Sequence, residues 1–236
     1  GKHFVRLAEN SENLNIIQWL SRSESSYQKI KTTSDFKNIK KADVYIFCVS
    51  DKSIHEASVK LNLSNQLIVH TSGINQFNVL CNNNRRGVFY PLQTFSKQKK
   101  TQELEIPMCI ETEYKKDMKL LIDLCKCLNL KYYKINHEKR KILHLAAVFS
   151  NNFSNHLYSI AHKITKKNNI DFDILKPLIQ ETANKILLLE PTKAQTGPAI
   201  RNDRETINNH LKLLKNDDYK NLYKTFTQLI KDENKL

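Results

Sequence analysis

The sequence predicts an α/β protein in which a parallel-sheet domain is followed by an all-α C-terminal domain. Up to residue 136, short apolar segments alternate with stretches of helical period, which is the pattern of a parallel sheet with helices between its strands. After residue 136 the strand pattern stops and long helical periods follow. We therefore place one domain over residues 1–136 and a helical domain over residues 137–236.

The first part of the sheet domain is predicted to alternate helices and strands. Residues 1–8 have the spacing of an amphipathic helix, and the apolar segment 14–20 is predicted to be a strand. Residues 42–49 are apolar almost without interruption, as in a parallel strand that is buried on both faces. A helix is predicted over residues 53–61, with Asp51 placed to cap it.

Further strands and a helix complete the predicted sheet. Apolar strands are predicted at 66–70, 87–90 and 107–111. Helical period covers residues 115–128, and the alternating segment 131–135 is typical of an edge strand. The order of these elements indicates a mostly parallel sheet.

Helices are predicted over residues 137–168, 173–189, 204–215 and 219–231 of the second domain. The first of them is unusual, because residues 142–162 contain no Asp, Glu, Lys or Arg in a chain that is 26% charged. The functional interpretation of the sequence depends most on this helix.

The uncharged helix has an apolar face and a polar face. At about 100° per residue, the apolar face carries Phe149, Phe153, Leu157, Ile160 and Ile164. The opposite face carries His144, Asn151, Asn155 and His162, with Asn152 and Ser159 beside them. Polar side chains without charge predict a buried surface. This surface is either a core face whose amides satisfy neighbouring backbone, or a wall that faces a polar ligand.

The composition argues against several classes of protein. The net charge of +14 comes from lysines spread along the chain without a basic cluster interleaved with aromatic residues, so we expect no nucleic-acid binding. The longest uncharged segment is too polar to predict a membrane span. The five cysteines are odd in number and lie mostly in apolar segments, which is typical of reduced residues in a cytoplasmic protein. Cys125 and Cys127 have no second pair nearby, and no metal site is predicted.

Small polar residues follow three of the predicted strands. These segments are Ser21-Arg22-Ser23, Val49-Ser50-Asp51 and Thr71-Ser72-Gly73. In doubly wound sheets, ligands bind in a crevice at the carboxyl ends of the strands. The three segments together therefore predict a binding crevice at this edge of the sheet.

The first of these segments indicates which ligand the crevice binds. A dinucleotide fold that prefers NAD usually has an acidic residue at this place, for the ribose hydroxyls. Arg22 between two serines suits the 2′-phosphate of NADP, because a guanidinium binds phosphate in a bidentate manner. We therefore predict NADP, with NAD less favoured, and leave open that Arg22 is an ordinary loop residue.

A Rossmann-type dinucleotide domain begins with a strand and a Gly-x-Gly-x-x-Gly turn, and this sequence contains no such motif. If Gly1 is the third small residue of that turn, the first strand and the other two glycines lie upstream of residue 1. We therefore expect Gly1 to be a cofactor-binding residue at the start of the first helix.

Several motifs support a family assignment. They are the segment 85–95 (RRGVFYPLQTF), His144 to His156, Lys176 to Thr182 with Glu181, Gln195 to Ala199 with Arg201 and Asp203, and the strand ends at 42–51 and 70–73. The chain resembles, over nearly its whole length, a bacterial family of Rossmann-like proteins with a helical domain of unknown function. That family is similar to NADP oxidoreductases of the 6-phosphogluconate dehydrogenase-like group, which includes ketopantoate reductase and pyrroline-carboxylate reductase.

The resemblance implies an NADP(H)-dependent oxidoreductase with a small polar substrate, such as a 2-oxo acid or an imine, at the interface of the domains. In the group, the long helix that opens the second domain lines the active site, and the helical domains commonly pair into homodimers. Hydroxyacid dehydrogenases of the group carry a Lys and an Asn one turn apart on this helix. This chain has His144 and Asn151 instead, without a Lys between them.

The sequence accordingly gives each candidate residue a role. His144 is the predicted acid or base, because an imidazole exchanges protons near neutral pH. Asn151 and Asn155 are predicted to orient the substrate. Tyr90 and Pro91 are predicted to border its cavity. The last candidates are Gln195, Thr196 and Arg201. They either bind an anionic group of the substrate, or cap the next helix and build a dimer surface. The alternative function is a non-catalytic NADP-binding or scaffold protein that dimerises through its helical domain.

Overall fold

The computed structural model describes residues 1–27, 30–95 and 105–234. Its first element is helix α1 (Lys2–Glu9), as predicted. A small antiparallel pair follows, made of β1 (Ser26–Tyr27) and β2 (Ile30–Lys31). The remaining strands belong to the main sheet.

The main sheet has the order β3-β4-β5-β6-β7 within the described residues. Its strands are β3 (Tyr45–Phe47), β4 (Leu67–His70), β5 (Arg85–Pro91), β6 (Met108–Thr112) and β7 (Tyr132–Lys134). Strands β3, β4 and β5 are parallel, β6 is antiparallel to β5, and β7 is parallel to β6. Helix α2 (Ile54–Lys60) connects β3 to β4, and α3 (Lys115–Cys127) connects β6 to β7. The predicted mostly parallel, Rossmann-type sheet is confirmed.

The core of the sheet domain lies on both faces of β4. The apolar residues Leu67, Ile68 and Val69 are fully buried, because one face of the strand packs towards β6 and α3 and the other towards α2. By contrast, every residue of β7 is exposed, as predicted for an edge strand. The central position of β4 and the edge position of β7 are therefore both confirmed.

The strand predicted over residues 14–20 is wrong. Only an isolated parallel bridge forms there, between Leu20 and Thr33, supported by a bond of 2.9 Å from Thr33 N to Trp19 O. A strand needs a hydrogen-bonded neighbour along its length, and only the last residues of this segment meet one among the described residues. The Asp51 cap is also wrong, because Asp51 lies within a 3₁₀ turn (Asp51–Ser53) that precedes α2.

Helices cover all four segments predicted to be helical in this part of the chain. They are α4 (His137–Ala147), α5 (Ser154–Lys167), α6 (Lys176–Leu188), α8 (Arg204–Leu213) and α9 (Asp217–Glu233), and a short helix that was not predicted, α7 (Pro191–Ala194), follows α6. Asn136 caps α4 by accepting a bond of 3.1 Å from Lys139 N. A 3₁₀ turn, Phe172–Leu175, precedes α6. No helix of the described residues has the length and apolar content needed to cross a membrane.

The single long helix predicted over residues 137–168 is interrupted by a π-helical turn, Val148–Phe153, between α4 and α5. Each residue of such a turn advances by less than the 100° of an α-helix, because its bonds run from i to i+5. Asn151 lies within this turn and Asn155 follows it, so the regular spacing from which their alignment with His144 was predicted does not hold here.

The polar face is not a core face of the described chain, and the alternative of a wall that faces a ligand stays a prediction. Asn151, Asn152 and Asn155 are exposed, and His144 is half-buried. The predicted apolar face is only partly covered among the described residues, since Ile160 is buried but Phe149 is 62% exposed.

The chain divides into two compact units, Gly1–Tyr158 and Ser159–Leu236. The first contains the sheet together with α4 and the π turn. The domain boundary predicted at residue 136 rests on where the strand pattern ends, and it stays a prediction.

Candidate functional site

A cavity of about 330 Å³ lies at the carboxyl edge of the parallel strands. Its walls come from helix α1, from the ends of β3, β4 and β5, and from the segment that follows β5. The lining residues are Gly1, His3, Phe4, Leu7, Cys48, Val49, Thr71, Tyr90, Pro91, Gln93 and Phe95. This is the place where the sequence predicted a crevice.

The fold explains why these residues meet. Because β3, β4 and β5 are parallel, their carboxyl ends open at the same edge of the sheet. The first turn of α1 lies beside them, with Gly1 and Phe4 in the cavity wall. The amino end of a helix presents free N–H groups and a partial positive charge. The cavity therefore combines an apolar wall with a helix terminus that favours an anionic group.

Tyr90 and His144 form a hydrogen-bonded pair next to this cavity. Tyr90 Oη lies 3.2 Å from His144 Nδ1, and the two rings meet edge to face with their centres 6.1 Å apart. Burial raises the pKa of Tyr90, so its hydroxyl is protonated at neutral pH. The pair can pass a proton between a phenol that borders the cavity and an imidazole behind it.

Gly73 makes the close approach of this pair possible. A Cβ atom at residue 73 would lie 2.7 Å from His144 Nδ1 and 2.9 Å from Tyr90 Cζ. Side chains do not tolerate contacts of this length, so any larger residue would displace one of the rings. Gly73, which was predicted to bind the cofactor, is thus the residue against which Tyr90 and His144 pack.

Several cavity residues were missed in the sequence. His3 stacks on Phe95 with ring centres 4.6 Å apart, and burial, assisted by Arg6, lowers the pKa of His3. Cys48 follows β3 directly. The amphipathic period of α1 was visible in the sequence. The sequence does not show which face of α1 lies against the strand ends, because packing against the sheet decides that, and His3 was therefore missed.

The predicted cofactor residues lie in different places. Gly1, Val49 and Thr71 line the cavity. Ser72 is buried in the loop after β4, where its Oγ accepts a bond of 3.1 Å from Asn75 N. The others lie outside the cavity wall: Ser50 and Asp51 are exposed at the 3₁₀ turn, Arg22 and Ser23 are exposed, and Ser21 is half-buried. The hydroxyls of Ser21 and Ser23 are 3.3 Å apart, which orders the loop around Arg22.

Of the predicted substrate residues, Tyr90 and Pro91 line the cavity. Gln195, Thr196 and Arg201 belong to the second compact unit and are exposed there. Gln195 Nε2 donates to Thr196 O at 2.9 Å, and Gly197 takes a φ of +111°, which favours glycine.

The segment that contains Arg201 leads into helix α8. Asp203 caps this helix, since its Oδ1 accepts a bond of 3.0 Å from Thr206 N. Hydrogen bonds from Thr206 lower the pKa of Asp203. The capping role that the sequence left open thus falls on Asp203, and an anion contact by the other residues stays a prediction.

Comparison with known proteins agrees with this architecture. A family model described as a domain of unknown function, DUF2520, matches residues 106–230. The solved structure of a Bacteroides fragilis "putative NADP oxidoreductase" is 37% identical, with a TM-score of 0.87 over 98% of this chain and 93% of that chain. A Thermotoga maritima protein is 24% identical, with a TM-score of 0.68 over 82% of this chain and 80% of that chain, and shows the same fold. No curated protein matches the chain.

Proposed function

The chain belongs to the DUF2520 family, and on this premise we propose that it is an NADP(H)-dependent oxidoreductase acting on a small polar substrate. The observation that carries the proposal is the Tyr90–His144 pair beside a cavity at the carboxyl edge of the parallel strands. Such a cavity suits a dinucleotide, and the pair suits proton transfer. The name of the Bacteroides fragilis protein supports the same cofactor.

The residues at the strand ends fit the cofactor. The first turn of α1 suits its pyrophosphate, and Thr71 and Val49 suit the ring that carries the redox chemistry. Arg22 is exposed in the loop that follows Leu20, and its guanidinium suits the 2′-phosphate that distinguishes NADP from NAD. When bound, the nicotinamide supplies or accepts the hydride.

The protein's own part in the reaction is to place the substrate and to move a proton. Tyr90 Oη donates a hydrogen bond to the carbonyl oxygen or imine nitrogen and passes its proton there during reduction. His144 Nδ1, 3.2 Å away, returns a proton to Tyr90. The apolar side chains Phe4, Leu7 and Phe95 limit water around the reacting atoms. A 2-oxo acid or a cyclic imine matches this set of groups.

Asn151 and Asn155 were predicted to orient the substrate. Both are exposed and lie within or beyond the π turn. Their exposure also suits a contact between copies of the chain, which is the use that a dimeric scaffold protein would make of this face.

We also propose a homodimer. In the first unit, Ile142, Leu145 and Phe149 are all more than half exposed on one helical segment. In the second unit, Leu187 and Leu188 are exposed by 80% and 87%. Apolar surface of this extent in a globular protein usually marks an interface. Sedimentation velocity measures the association directly.

The test of the proposed function has a binding step and a turnover step. Calorimetry should show tighter binding of NADPH than of NADH, and Arg22→Ala should weaken NADPH by a factor of tens, since a charge-assisted bond contributes about 2 kcal/mol. Lys119→Ala, a change at an exposed cation of α3 in the same unit that does not line the cavity, is the control. NADPH oxidation is then screened with 2-oxo acids and cyclic imines. Equal affinity for both cofactors would contradict the choice of NADP.

The alternative is a non-catalytic NADP-binding protein, which is favoured by the exposure of Asn151 and Asn155. Such a protein would bind NADPH without oxidising it. Tyr90→Phe and His144→Ala distinguish the two functions. If the protein is an enzyme, both variants keep NADPH binding and lose turnover. If it is a scaffold, the wild type shows no turnover and both variants bind NADPH as the wild type does.

A further inference from the structure

The loop that follows β4, residues 71–76, is held together by its own hydrogen bonds; we call it the β4 loop. His70 Nδ1 accepts a bond of 3.1 Å from Ser72 N, and His70 Nε2 donates to Gln76 O at 3.0 Å. These bonds require a neutral imidazole with its proton on Nε2. Ser72 Oγ accepts bonds from the N–H groups of Ile74 and Asn75. The loop is therefore a fixed structure rather than an open connection.

One face of α4 holds this loop from outside. His137 Nε2 lies 2.9 Å from Ile74 O, and Arg140 Nη2 donates to Asn75 O at 2.6 Å. Gln76 Nε2 is 2.9 Å from His137 Nδ1. The helix thus contacts consecutive residues of the β4 loop through side chains spaced three apart, which lie on the same face.

The same face of α4 carries His144, one further turn along the helix. His144 packs on Gly73, which belongs to the β4 loop, and bonds to Tyr90. Thr71, the first residue of the loop, lines the cavity. The contacts of α4 with the β4 loop therefore set the position of a cavity wall and of the proton-transfer pair together.

Arg140 lies at the centre of this arrangement. It is 0% exposed, and its guanidinium pairs with Glu111 of β6 as well as with Asn75 O. Glu111 Oε1 also accepts a bond of 3.1 Å from His137 N at the start of α4. A buried ion pair is weak evidence for stability, because apolar residues of the same volume often stabilise a fold as well. What a planar guanidinium adds here is a fixed geometry between sheet, helix and loop.

We infer that Arg140 is a positioning residue of the cofactor site, which fixes the β4 loop and His144 relative to the sheet. The inference rests on the proposed function for the identity of the ligand. Arg140 touches neither the cavity nor the reacting atoms, and it acts through Asn75 and Glu111. A residue with this role affects cofactor binding beyond its effect on stability.

The test compares Arg140→Met with Arg85→Met. Arg85 pairs with the buried Asp117 in the same unit, but it lies at the amino end of β5, away from the cavity. Calorimetry with NADPH should show binding about tenfold weaker or worse in Arg140→Met, from the loss of charge-assisted bonds. Arg85→Met should lower the melting temperature and leave NADPH affinity unchanged. Equal loss of affinity in both variants would mean a general stability effect and would overturn the inference.

Hydrogen exchange of the apoprotein gives a second measurement. In Arg140→Met the amides of Ile74 and Asn75 should exchange at least tenfold faster than in the wild type, while those of β4 stay protected. Arg140→Lys should fall between the two, because an ammonium cannot bridge Asn75 and Glu111 as a guanidinium does. This variant also replaces Arg140→Met if the latter fails to fold. Unchanged exchange and unchanged NADPH affinity would overturn the inference.

The two measurements also separate the inference from the proposed function. If the wild type does not bind NADPH, the proposed cofactor is wrong. Faster exchange in Arg140→Met without NADPH binding by the wild type would likewise overturn the cofactor-positioning role, leaving only a structural contact. If the wild type binds NADPH and the variant binds it equally well, only the role of Arg140 is wrong.

Discussion

Two apolar runs of this chain have similar composition, but one is buried and the other is exposed. Leu67, Ile68 and Val69 in β4 are 0% exposed, whereas Leu187 and Leu188 at the end of α6 are 80% and 87% exposed. The strand is enclosed by its neighbours in the sheet and by helices, and these are all part of the same compact unit. The leucines of α6 lack such cover among the described residues. Burial thus depends on the surroundings of a run as much as on its composition, and the uncovered run is part of the dimer surface that we propose.

The largest expected effect concerns the enclosed run. Ile68→Ala should lower the free energy of unfolding by about 2–5 kcal/mol, because it removes buried methyl groups and leaves a cavity. Urea unfolding followed by circular dichroism measures this change. Leu188→Ala should have a much smaller effect when it is measured at a protein concentration at which the chain is a monomer. A loss of stability as large as that of Ile68→Ala would contradict the comparison between the two runs.

The next effect concerns His70, at the carboxyl end of the enclosed strand. Burial lowers its pKa from 6.5 to about 4. Between these values the unfolded chain binds a proton that the folded chain does not, so stability is complete above pH 6.5 and falls as the pH drops towards 4. The difference is roughly 3 kcal/mol at 1.36 kcal/mol per pKa unit.

Urea unfolding at pH 7 and pH 4.5 measures this dependence on His70. His70→Gln should flatten the change with pH, and His156→Gln, at an exposed position, should leave it as in the wild type. A wild-type stability that is the same at both pH values would contradict the burial of a neutral imidazole.

A smaller effect is expected at Gly73, where close packing depends on the absence of a side chain. Gly73→Ala should cost about 1–3 kcal/mol of stability by overpacking and should separate Tyr90 from His144. A crystal structure of the variant would show the distance between Tyr90 Oη and His144 Nδ1. The matched control is Gly197→Ala, which meets no atom within 4 Å but strains a backbone at φ +111°. Gly197→Ala should lower stability without changing the distance between Tyr90 and His144. If that distance stays at 3.2 Å in Gly73→Ala, the close packing at Gly73 does not control the pair.

The smallest effect on the folded monomer is expected from the uncovered run. Leu187→Ser and Leu188→Ser should each change its stability by less than about 0.5 kcal/mol, as exposed substitutions usually do. If the run forms part of a dimer interface, the same changes should weaken association in sedimentation velocity. Lys212→Ser, at an exposed position of α8, is the control. Unchanged association would remove the α6 run from the proposed interface.

The fold was largely predictable from the sequence because its signals are local. The apolar run of β4 reflects burial on both faces. The alternation of β7 predicted a strand at the edge correctly, although both faces of that strand are exposed. The segment at 14–20 had an equally good strand pattern and failed, since a strand also needs a partner, which no local pattern specifies. The π turn was missed for another reason, because the prediction assumed the regular 100° spacing of an α-helix through Asn151 and up to Asn155.

The candidate site was predictable only in outline. The strand ends located Thr71 and Gly73, the polar face of the uncharged helix located His144, and the resemblance located Tyr90. Their bond depends on residues 54 positions apart and could not be read from spacing. Arg140 gave no signal at all, because a single arginine in a lysine-rich helix looks like a solvent-exposed residue until its burial is known.

The antiparallel pairing of β6 with β5 has a consequence for how the chain reaches the cavity. Because β7 follows the direction of β6, it points away from the edge where β3, β4 and β5 end. Helix α4 begins beside Glu111, which pairs with Val88 at the level of His70, the last residue of β4. The seven residues from His137 to His144 span roughly 10 Å at 1.5 Å each, so one short helix reaches from Glu111 and the β4 loop to Tyr90. The reversal of β6 thus lets a single helix connect three neighbouring strands of the sheet through side chains on one of its faces.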